Sequence, residues 1–434
     1  MLKSEPAQAS KVRSAPQRRA TEGPTAVISR RAAERLRAGH VWVYSSDVAQ
    51  IIADKDGVES PDLYTVVDDR GLPLGTALYS PTSQIALRLV SPRVIQVRAA
   101  WLDLLRTRLE SAIAMRREML YAERGRTDAS RLVFSEADAL PGLIIDKYGD
   151  LVILQLLTQG MDCEDNREVI VDVLRRLIDP GAIIERPDPR IREIEQLSEP
   201  SREPLYRRID AAGPALSSIF QLNGLRFHYD ANSGQKTGAF LDQRENYAAA
   251  ARYGHGDALD VCTYHGGFAL HLAQVCAKVT GVDASRPALE VAESNLELNR
   301  EALGGKSGSE VDWVEANAFD LLRDWSTSGP AYDTVVLDPP AFAKSKKAVE
   351  GALRGYKEMN LRALKLLRPG GTLITCSCSQ QISSDDFTAV VAAAAGDAGR
   401  RLRLIERRGA APDHPVILTI PETDYLKCLI CSVE

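Results

Sequence analysis

Asp338-Pro339-Pro340-Ala341-Phe342 puts a carboxylate, two prolines and an aromatic ring at the end of an apolar run, residues 332–337, that reads as a buried strand. Each proline fixes φ and removes a donor, and the first pushes Asp338 toward extended geometry. Such a stiff loop can hold a planar heterocycle edge-on, against backbone carbonyls and one acid. Ligands of open α/β sheets bind at this kind of place, just beyond the carboxyl ends of the strands.

Three more segments bring polar groups to similar positions. Asp260-Val261-Cys262-Thr263-Tyr264-His265-Gly266-Gly267 leads from a strand toward a helix, and paired glycines let backbone N–H groups approach a ligand. A plain turn explains Gly266-Gly267 equally well, and the spacing is not G-x-G-x-x-G, which disfavours a dinucleotide pyrophosphate. Asp283 ends the next strand about twenty residues on, where an acid can accept from both ribose hydroxyls. Asn317-Ala318-Phe319 follows the third strand; its amide can meet an adenine edge or cap the next helix. The set describes a nucleoside cofactor without a required pyrophosphate, and S-adenosylmethionine fits. The seven cysteines show no metal-like spacing, so no metal is expected, and they suggest a reducing cytoplasm.

A doubly wound sheet would position these groups. From residue 258 strand patterns (258–262, 278–283, 311–315, 332–337, 371–377) alternate with helical ones (268–277, 286–299, from 319, 351–367), as in a mostly parallel sheet covered on both faces. Two last strand patterns, 401–408 and 425–433, lack a full helix between them, so the final strand is expected antiparallel. Residues 1–25 are basic and aperiodic and read as a disordered tail. Residues 26–93 carry short strand patterns, Asp56-Gly57 and Asp69-Arg70-Gly71 turns and one amphipathic helix at 31–38: a small β domain. A helical pattern over 94–123, then strands and a helix, form an expected middle α+β domain ending at 213, with the α/β domain spanning 214–434.

At 434 residues the chain is too long for one ordinary core. With 44% hydrophobic and 26% charged residues it has the balance of a soluble protein. It shows no apolar run of about eighteen residues and no secretory signal, so no membrane association and a cytoplasmic location are expected. A net charge of −5 argues against a general affinity for nucleic acid. Local charge differs: Lys3, Lys11, Arg13, Arg18, Arg19, Arg30, Arg31, Arg35 and Arg37 crowd the start, and Lys344, Lys346, Lys347, Arg354 and Lys357 follow the double proline. Charge runs are usually solvated faces. Two of them, one beside the double proline, favour a phosphate-backbone partner.

Several stretches carry a resemblance to a family. They are Gly39-His40-Val41-Trp42-Val43-Tyr44-Ser45, Glu136-Ala137-Asp138-Ala139-Leu140-Pro141-Gly142-Leu143, Asp146-Lys147-Tyr148-Gly149, Gln235-Lys236-Thr237-Gly238-Ala239-Phe240-Leu241-Asp242-Gln243-Arg244, Arg354-Gly355-Tyr356-Lys357 and Asp413-His414-Pro415. With these the chain resembles the bacterial 23S ribosomal RNA cytosine-C5 methyltransferases that carry an N-terminal PUA domain, over nearly everything after residue 25. The resemblance implies a Rossmann-like class I methyltransferase domain, S-adenosylmethionine as cofactor, large-subunit ribosomal RNA as partner, and allows a homodimer. It implies that Lys236, Thr237, Phe240, Asp242 and Arg244 border the methionine end of the cofactor, Arg244 pairing with its carboxylate. Asp260, Tyr264, Gly266, Asp283, Asn317 and Asp338 complete the expected cofactor site, and Pro339, Pro340 and Phe342 the substrate side. The family usually has Thr where His265 stands, often Lys at Ala341, and commonly Arg at Tyr247.

In such enzymes a thiolate adds to C6 of the pyrimidine and makes C5 nucleophilic. The resemblance implies that Cys378, in Ser377-Cys378-Ser379, is that nucleophile and that Asp338 is the acid at the base edge. If Asp338 meets N3 of cytosine it must be protonated or share a proton. Cys376 is the alternative, because Thr375-Cys376-Ser377 resembles the Thr-Cys-Ser of other RNA cytosine methyltransferases. Cys378 lies further beyond the strand, where exposure and a lowered thiol pKa are easier to arrange. Two other readings are an amino-methyltransferase with Phe342 stacked on the base and no thiol, and a non-catalytic RNA-binding protein.

Overall fold

The computed structural model describes residues 23–52, 63–120, 122, 125–201, 203–208, 216–231, 238–304, 308–343 and 345–434. It divides into two compact units, one up to Ala100 and one from Trp101 to Glu434.

The first unit is built on a six-stranded sheet, in spatial order Trp42–Tyr44, Ile85–Ser91, Pro73–Tyr79, Leu63–Val67, Thr25–Ile28 and Val48–Ile52. Its pairings are antiparallel except that Thr25–Ile28 runs parallel to Leu63–Val67. The helix Arg30–Arg37 is capped by Ser29, whose side chain accepts from the Ala32 N–H. It buries Ala32, Ala33 and Leu36 among Ala26, Ile28, Val43, Val66 and Leu87. Part of the first basic cluster is spent within this unit. Arg31 and Arg35 pair with the buried Asp47, and Arg37 with Asp68. Lys3, Lys11, Arg13, Arg18 and Arg19, like most of the expected disordered tail, lie outside the described residues.

The second unit holds two larger sheets. The helix Arg98–Met119 buries Trp101, Leu105 and Leu109, and the Trp101 indole donates to Asn166 at 2.9 Å. A five-stranded sheet follows, in order Tyr206–Arg207, Ala182–Glu185, Leu151–Leu156, Leu143–Tyr148 and Ala129–Phe134. The Leu143–Tyr148 and Leu151–Leu156 strands form a hairpin turned at Gly149-Asp150.

The seven-stranded sheet that carries the site consists of β1 (Asp257–Val261), β2 (Lys278–Asp283), β3 (Glu310–Glu315), β4 (Tyr332–Leu337), β5 (Leu367–Ser377), β6 (Leu402–Arg408) and β7 (Lys427–Val433). Their spatial order is β3-β2-β1-β4-β5-β7-β6. β1 to β5 are parallel, and β7 lies antiparallel between β5 and β6. The helices are α1 (Arg244–Tyr253), α2 (Gly267–Leu272), α3 (Arg286–Asn299), α4 (Ala318–Ser328), α5 (Val349–Leu366) and α6 (Ser384–Asp397). The alternation expected from residue 258 is present; α2 stops at Leu272 rather than 277, and α1 and α6 were not foreseen. Chain order reverses between β1 and β4, and ligands of such sheets lie at that switch.

The segment expected as a separate middle domain shares its core with the α/β sheet. Tyr148, Leu151 and Ile153 belong to one buried cluster with Leu270, Val279 and Ile374. A hairpin missed in the sequence, Ser217–Leu222 with Leu225–Asp230, bridges them through Phe220, Phe227 and Tyr229. Its turn is Asn223-Gly224, both at positive φ, flanked by alternating apolar residues, which is a strong short-range hairpin signal. The open edge of its second strand is satisfied by α3: the Arg226 and His228 N–H groups donate to the side-chain oxygens of Asn299 and Asn295. Capping an edge with helix amides removes a row of unpaired donors and ties the hairpin to the seven-stranded sheet.

Candidate active site

The loop from β1 to α2 is tightly specified. Asp260, fully buried, accepts from the Thr263 hydroxyl at 2.6 Å and the Ala269 N–H at 2.9 Å, stitching strand, loop and helix together. Cys262 and Tyr264 take positive φ, a conformation unusual outside glycine. Gly266 also has φ +82, and a Cβ there would lie 3.0 Å from the Trp313 ring; at Gly267 it would lie 2.5 Å from Tyr247. Backbone conformation therefore favours glycine at 266, and packing against Tyr247 favours it at 267. The loop delivers the Tyr264 N–H to Asp283 Oδ2 at 2.9 Å, and Ser285 N–H holds Oδ1 at the same distance. Asp283 is half-buried, with its carboxylate fixed at the end of β2.

The Tyr264 ring stacks on His265 at 3.7 Å and meets Phe240 edge-on at 5.1 Å. Burial pushes the His265 imidazole down to about 4, so it stands as a neutral wall. Asn317 is exposed and caps α4 through its oxygen, accepting from the Phe319 and Asp320 N–H groups. That is the helix-cap role weighed against adenine contact.

At the switch between β1 and β4, the Asp338 N–H donates to the Val261 carbonyl at 3.2 Å. Its Oδ1 accepts from the Gln243 amide at 2.9 Å, and Asn246 holds the Gln243 oxygen at 2.6 Å. Gln243 was passed over as a functional residue although it sits within the Asp242-Gln243-Arg244 motif. Burial, together with the nearby carboxylates of Asp242 and Asp260, pushes the Asp338 carboxyl up to about 8. Burial, and Asp283 beside it, raise Asp260 to about 7. Asp242 accepts from the Tyr425 hydroxyl at 2.5 Å. One oxygen each of Asp242 and Asp260 is buried without a hydrogen-bond partner among the described residues. Four acids gathered at one end of a sheet, two with orphaned oxygens, suit a cationic ligand and repel a pyrophosphate. S-adenosylmethionine, with a sulfonium and an ammonium, fits this charge pattern.

The Cys378 thiol lies 3.9 Å from the Pro339 carbonyl, toward which it points its weak S–H donor. Its neighbours hold it there. Ser377 and Ser379 both bond the Tyr356 hydroxyl at 3.0 Å, and the Ser379 hydroxyl accepts from the Ala343 N–H at 3.2 Å. Tyr356 thus joins the cysteine segment to the double-proline loop. Cys378 is half-buried; Cys376 is fully buried beside Cys428, which with burial pushes its thiol well above the ordinary value. Pro339 is buried and Pro340 exposed. Phe342 packs on Tyr356 at 4.7 Å and Phe319 at 5.7 Å.

Arg244 is a correction. Its guanidinium is 1% exposed and bonds Asp413 Oδ2 at 3.1 Å, so it is not presented to a cofactor carboxylate. The reason is long-range: α1 packs against the loop after β6, which supplies a fully buried Asp413. Burial opposes ionisation there, yet His414, Arg244 and the Arg131 N–H hold the Asp413 carboxyl well below the usual range. Lys236 and Thr237 lie outside the described residues. Replacing Arg244 with Met should cost about 3–5 kcal/mol by stranding a buried charge. Denaturant unfolding would show it, and the double variant Arg244→Met/Asp413→Leu should recover much of the loss.

Comparison with known proteins identifies the two domains and the family. A PUA-like domain model matches residues 27–92, and an S-adenosylmethionine-dependent methyltransferase model matches 212–430. The ribosomal RNA large subunit methyltransferase I of Klebsiella pneumoniae is 38% identical over 413 residues, covering 94% of this chain and 98% of its own. The protein of the same name from Shewanella denitrificans is 38% identical over 400 residues, covering 92% and 96%. A solved structure from Streptococcus mutans, described as a SAM-dependent methyltransferase, superposes with a TM-score of 0.74 at 19% identity, covering 94% of this chain and 99% of its own, and shows the shared fold. The chain therefore belongs to the S-adenosylmethionine-dependent methyltransferases, in the ribosomal RNA large subunit methyltransferase I family with its PUA-like N-terminal domain.

Proposed function

We propose that this enzyme methylates C5 of a cytosine in large-subunit ribosomal RNA in the cytoplasm, through a covalent bond between Cys378 and C6. The observation that carries the reading is the juxtaposition of the Cys378 sulfur with the Pro339 carbonyl, one residue from a carboxyl group that is protonated near neutral pH.

Bound S-adenosylmethionine supplies an electrophilic methyl group on a sulfonium. Asp338, protonated, donates to N3 of cytosine, which is an acceptor in the neutral base. The Cys378 thiolate adds to C6; the S–C6 bond forms and the C5–C6 π pair becomes available at C5. C5 would then accept the methyl group that the bound donor supplies, the S–CH3 bonding pair staying with the donor sulfur. The C5 proton then passes to water, the C5–C6 double bond reforms and Cys378 leaves as thiolate. The donor to N3 stabilises the charge that enters the ring on addition. Asp283 would accept from the ribose hydroxyls, with Tyr264 and Phe240 as walls, and Asp242 would face the cationic end, while the fully buried Asp260 holds the β1–α2 loop beneath the ligand.

A cytosine inside a duplex is out of reach, so the target is flipped or unpaired. A shallow cavity of about 490 Å³, lined by Phe319, Phe342, Lys347 and Arg354, lies beside the double-proline loop. Lys346, Lys347 and Arg354 are exposed there, and their charge would grip the RNA backbone without reading sequence. The PUA-like unit would add shape-dependent contacts. An amino-methylating enzyme would use Phe342 to stack on the base; here that ring is engaged with Tyr356 and Phe319, and Cys378 would be idle.

The test is mass mapping of large-subunit RNA from cells lacking the protein. One cytosine should lose a methyl group at C5, and wild-type protein should restore it. A missing methyl group on another base, or on the cytosine amine, would overturn the reading.

A further inference from the structure

Lys427 is the first residue of β7, in the otherwise uncharged strand Lys-Cys-Leu-Ile-Cys-Ser-Val. It is 4% exposed. In the antiparallel register it stands opposite Ser377, next to the proposed nucleophile. Its ammonium donates to the Ser379 carbonyl at 2.7 Å and the Tyr425 carbonyl at 2.8 Å. It makes no ion pair with a carboxylate among the described residues. A lysine has three donors, so two carbonyls leave one N–H over.

Burying an amine in a strand of this kind is costly, and an apolar residue of similar volume would usually serve stability as well or better. The two carbonyl contacts tie Ser379 to Tyr425 but do not require a full charge. The surroundings give the charge a purpose. The Cys378 sulfur interacts electrostatically with Lys427, with Tyr425 just before β7 and with Tyr356 from α5. Burial raises both phenols, so they stay neutral. The groups that face Lys427 are the Cys378 sulfur and Asp424. Among these groups Lys427 alone can be a cation. Burial pushes its amine down to about 8, and the Cys378 and Asp424 charges work against that fall, so it is still mostly protonated at pH 7.

We propose that Lys427 is the positioning residue that stabilises the Cys378 sulfur as thiolate. The inference rests on the reading of Cys378 as nucleophile and goes beyond it: a charge from the antiparallel strand activates a sulfur on its neighbour. An opposite charge nearby typically moves a titrating group by about 1–3 units, and the thiolate is the reactive form.

The experiment follows alkylation of the full-length protein by iodoacetamide as a function of pH, read by mass spectrometry on the peptide containing Cys378. In Lys427→Met the midpoint for Cys378 should rise by at least about one unit, leaving about tenfold less thiolate at pH 7. Lys427→Arg should keep most of the wild-type profile, because it keeps the charge. Turnover should fall in kcat rather than in KM for RNA. S-adenosylmethionine binding by calorimetry checks that each variant is folded; Lys427→Gln, which retains a donor without charge, replaces the Met variant if that one does not fold. An unshifted Cys378 profile in a folded uncharged variant overturns the role of Lys427 and leaves the nucleophile reading intact. A shifted profile, in an enzyme whose Cys378→Ala form still methylates, upholds the charge coupling and overturns the nucleophile.

Discussion

Cys378→Ala should abolish methyl transfer while leaving S-adenosylmethionine binding unchanged. Removing an enzymic nucleophile lowers kcat by about 10⁴-fold or more, and here C5 of cytosine has no other means of activation. The sulfur sits at the double-proline loop, whereas Asp260, Asp283 and Asp242 stand on β1, β2 and the segment before α1. Loss of one sulfur atom in a half-buried position should not disturb them. Cys376→Ala should keep most of the activity, since that side chain is packed against Cys428 inside the sheet. Single-turnover assays with labelled donor on RNA, beside calorimetry of cofactor binding, separate the two effects. Full activity in Cys378→Ala would exclude the covalent route.

Asp338→Asn should lower kcat by about 10²–10⁴-fold, the range for losing a positioned acid, and should also change the pH dependence. In the wild type, activity should fall as pH rises through about 8, because the carboxyl proposed to donate to N3 ionises there. Asparagine has a donor at every pH, so this alkaline limb should vanish in the variant. The acid limb should remain. The two midpoints of the wild-type profile belong to the coupled pair of groups rather than to either alone. The same substitution should stabilise the fold at high pH. A carboxyl raised above its unfolded value of 3.8 contributes stability fully below that value and loses it as pH rises through the folded value near 8. Asparagine removes that loss, so the melting temperature should exceed wild type by roughly 2 °C or more at pH 8 and above, and the difference should shrink toward pH 4. Thermal scans across pH check the sign. An alkaline limb that persists in the variant would mean that Asp338 is not the titrating donor.

Much of this site was legible in the residues. Asp338-Pro339-Pro340, Asp283 and the glycine pair each stand at the end of an apolar run, and in a parallel sheet those ends meet at one edge. The periodicity located β1 to β5 because buried parallel strands are nearly continuous apolar stretches. The Asn223-Gly224 hairpin carried a local signal that went unused. Arg244 carried none: its partner is Asp413, far along the chain, and only packing of α1 against the loop after β6 reveals that the guanidinium is spent. Asn317 was equally compatible with a cap and a ligand contact, and the structure uses its oxygen as the cap of α4. Gln243 lay inside a quoted motif whose neighbours drew the attention, and Lys427 lacked any distinguishing pattern; their significance lies in the partners Asp338 and Ser379.

By itself, the order of residue types along the chain determined an α/β sheet, a cofactor of nucleoside type without a pyrophosphate cradle, and a short menu of reactive groups. It could do so because strand periodicity and loop chemistry are local properties. Which sulfur reaches the loop, which acids hold protons, and which cations are free were decided only by tertiary structure. Burial and charge–charge proximity arise between β5 and β7, or between α1 and a distant loop, and no spacing along the chain encodes them.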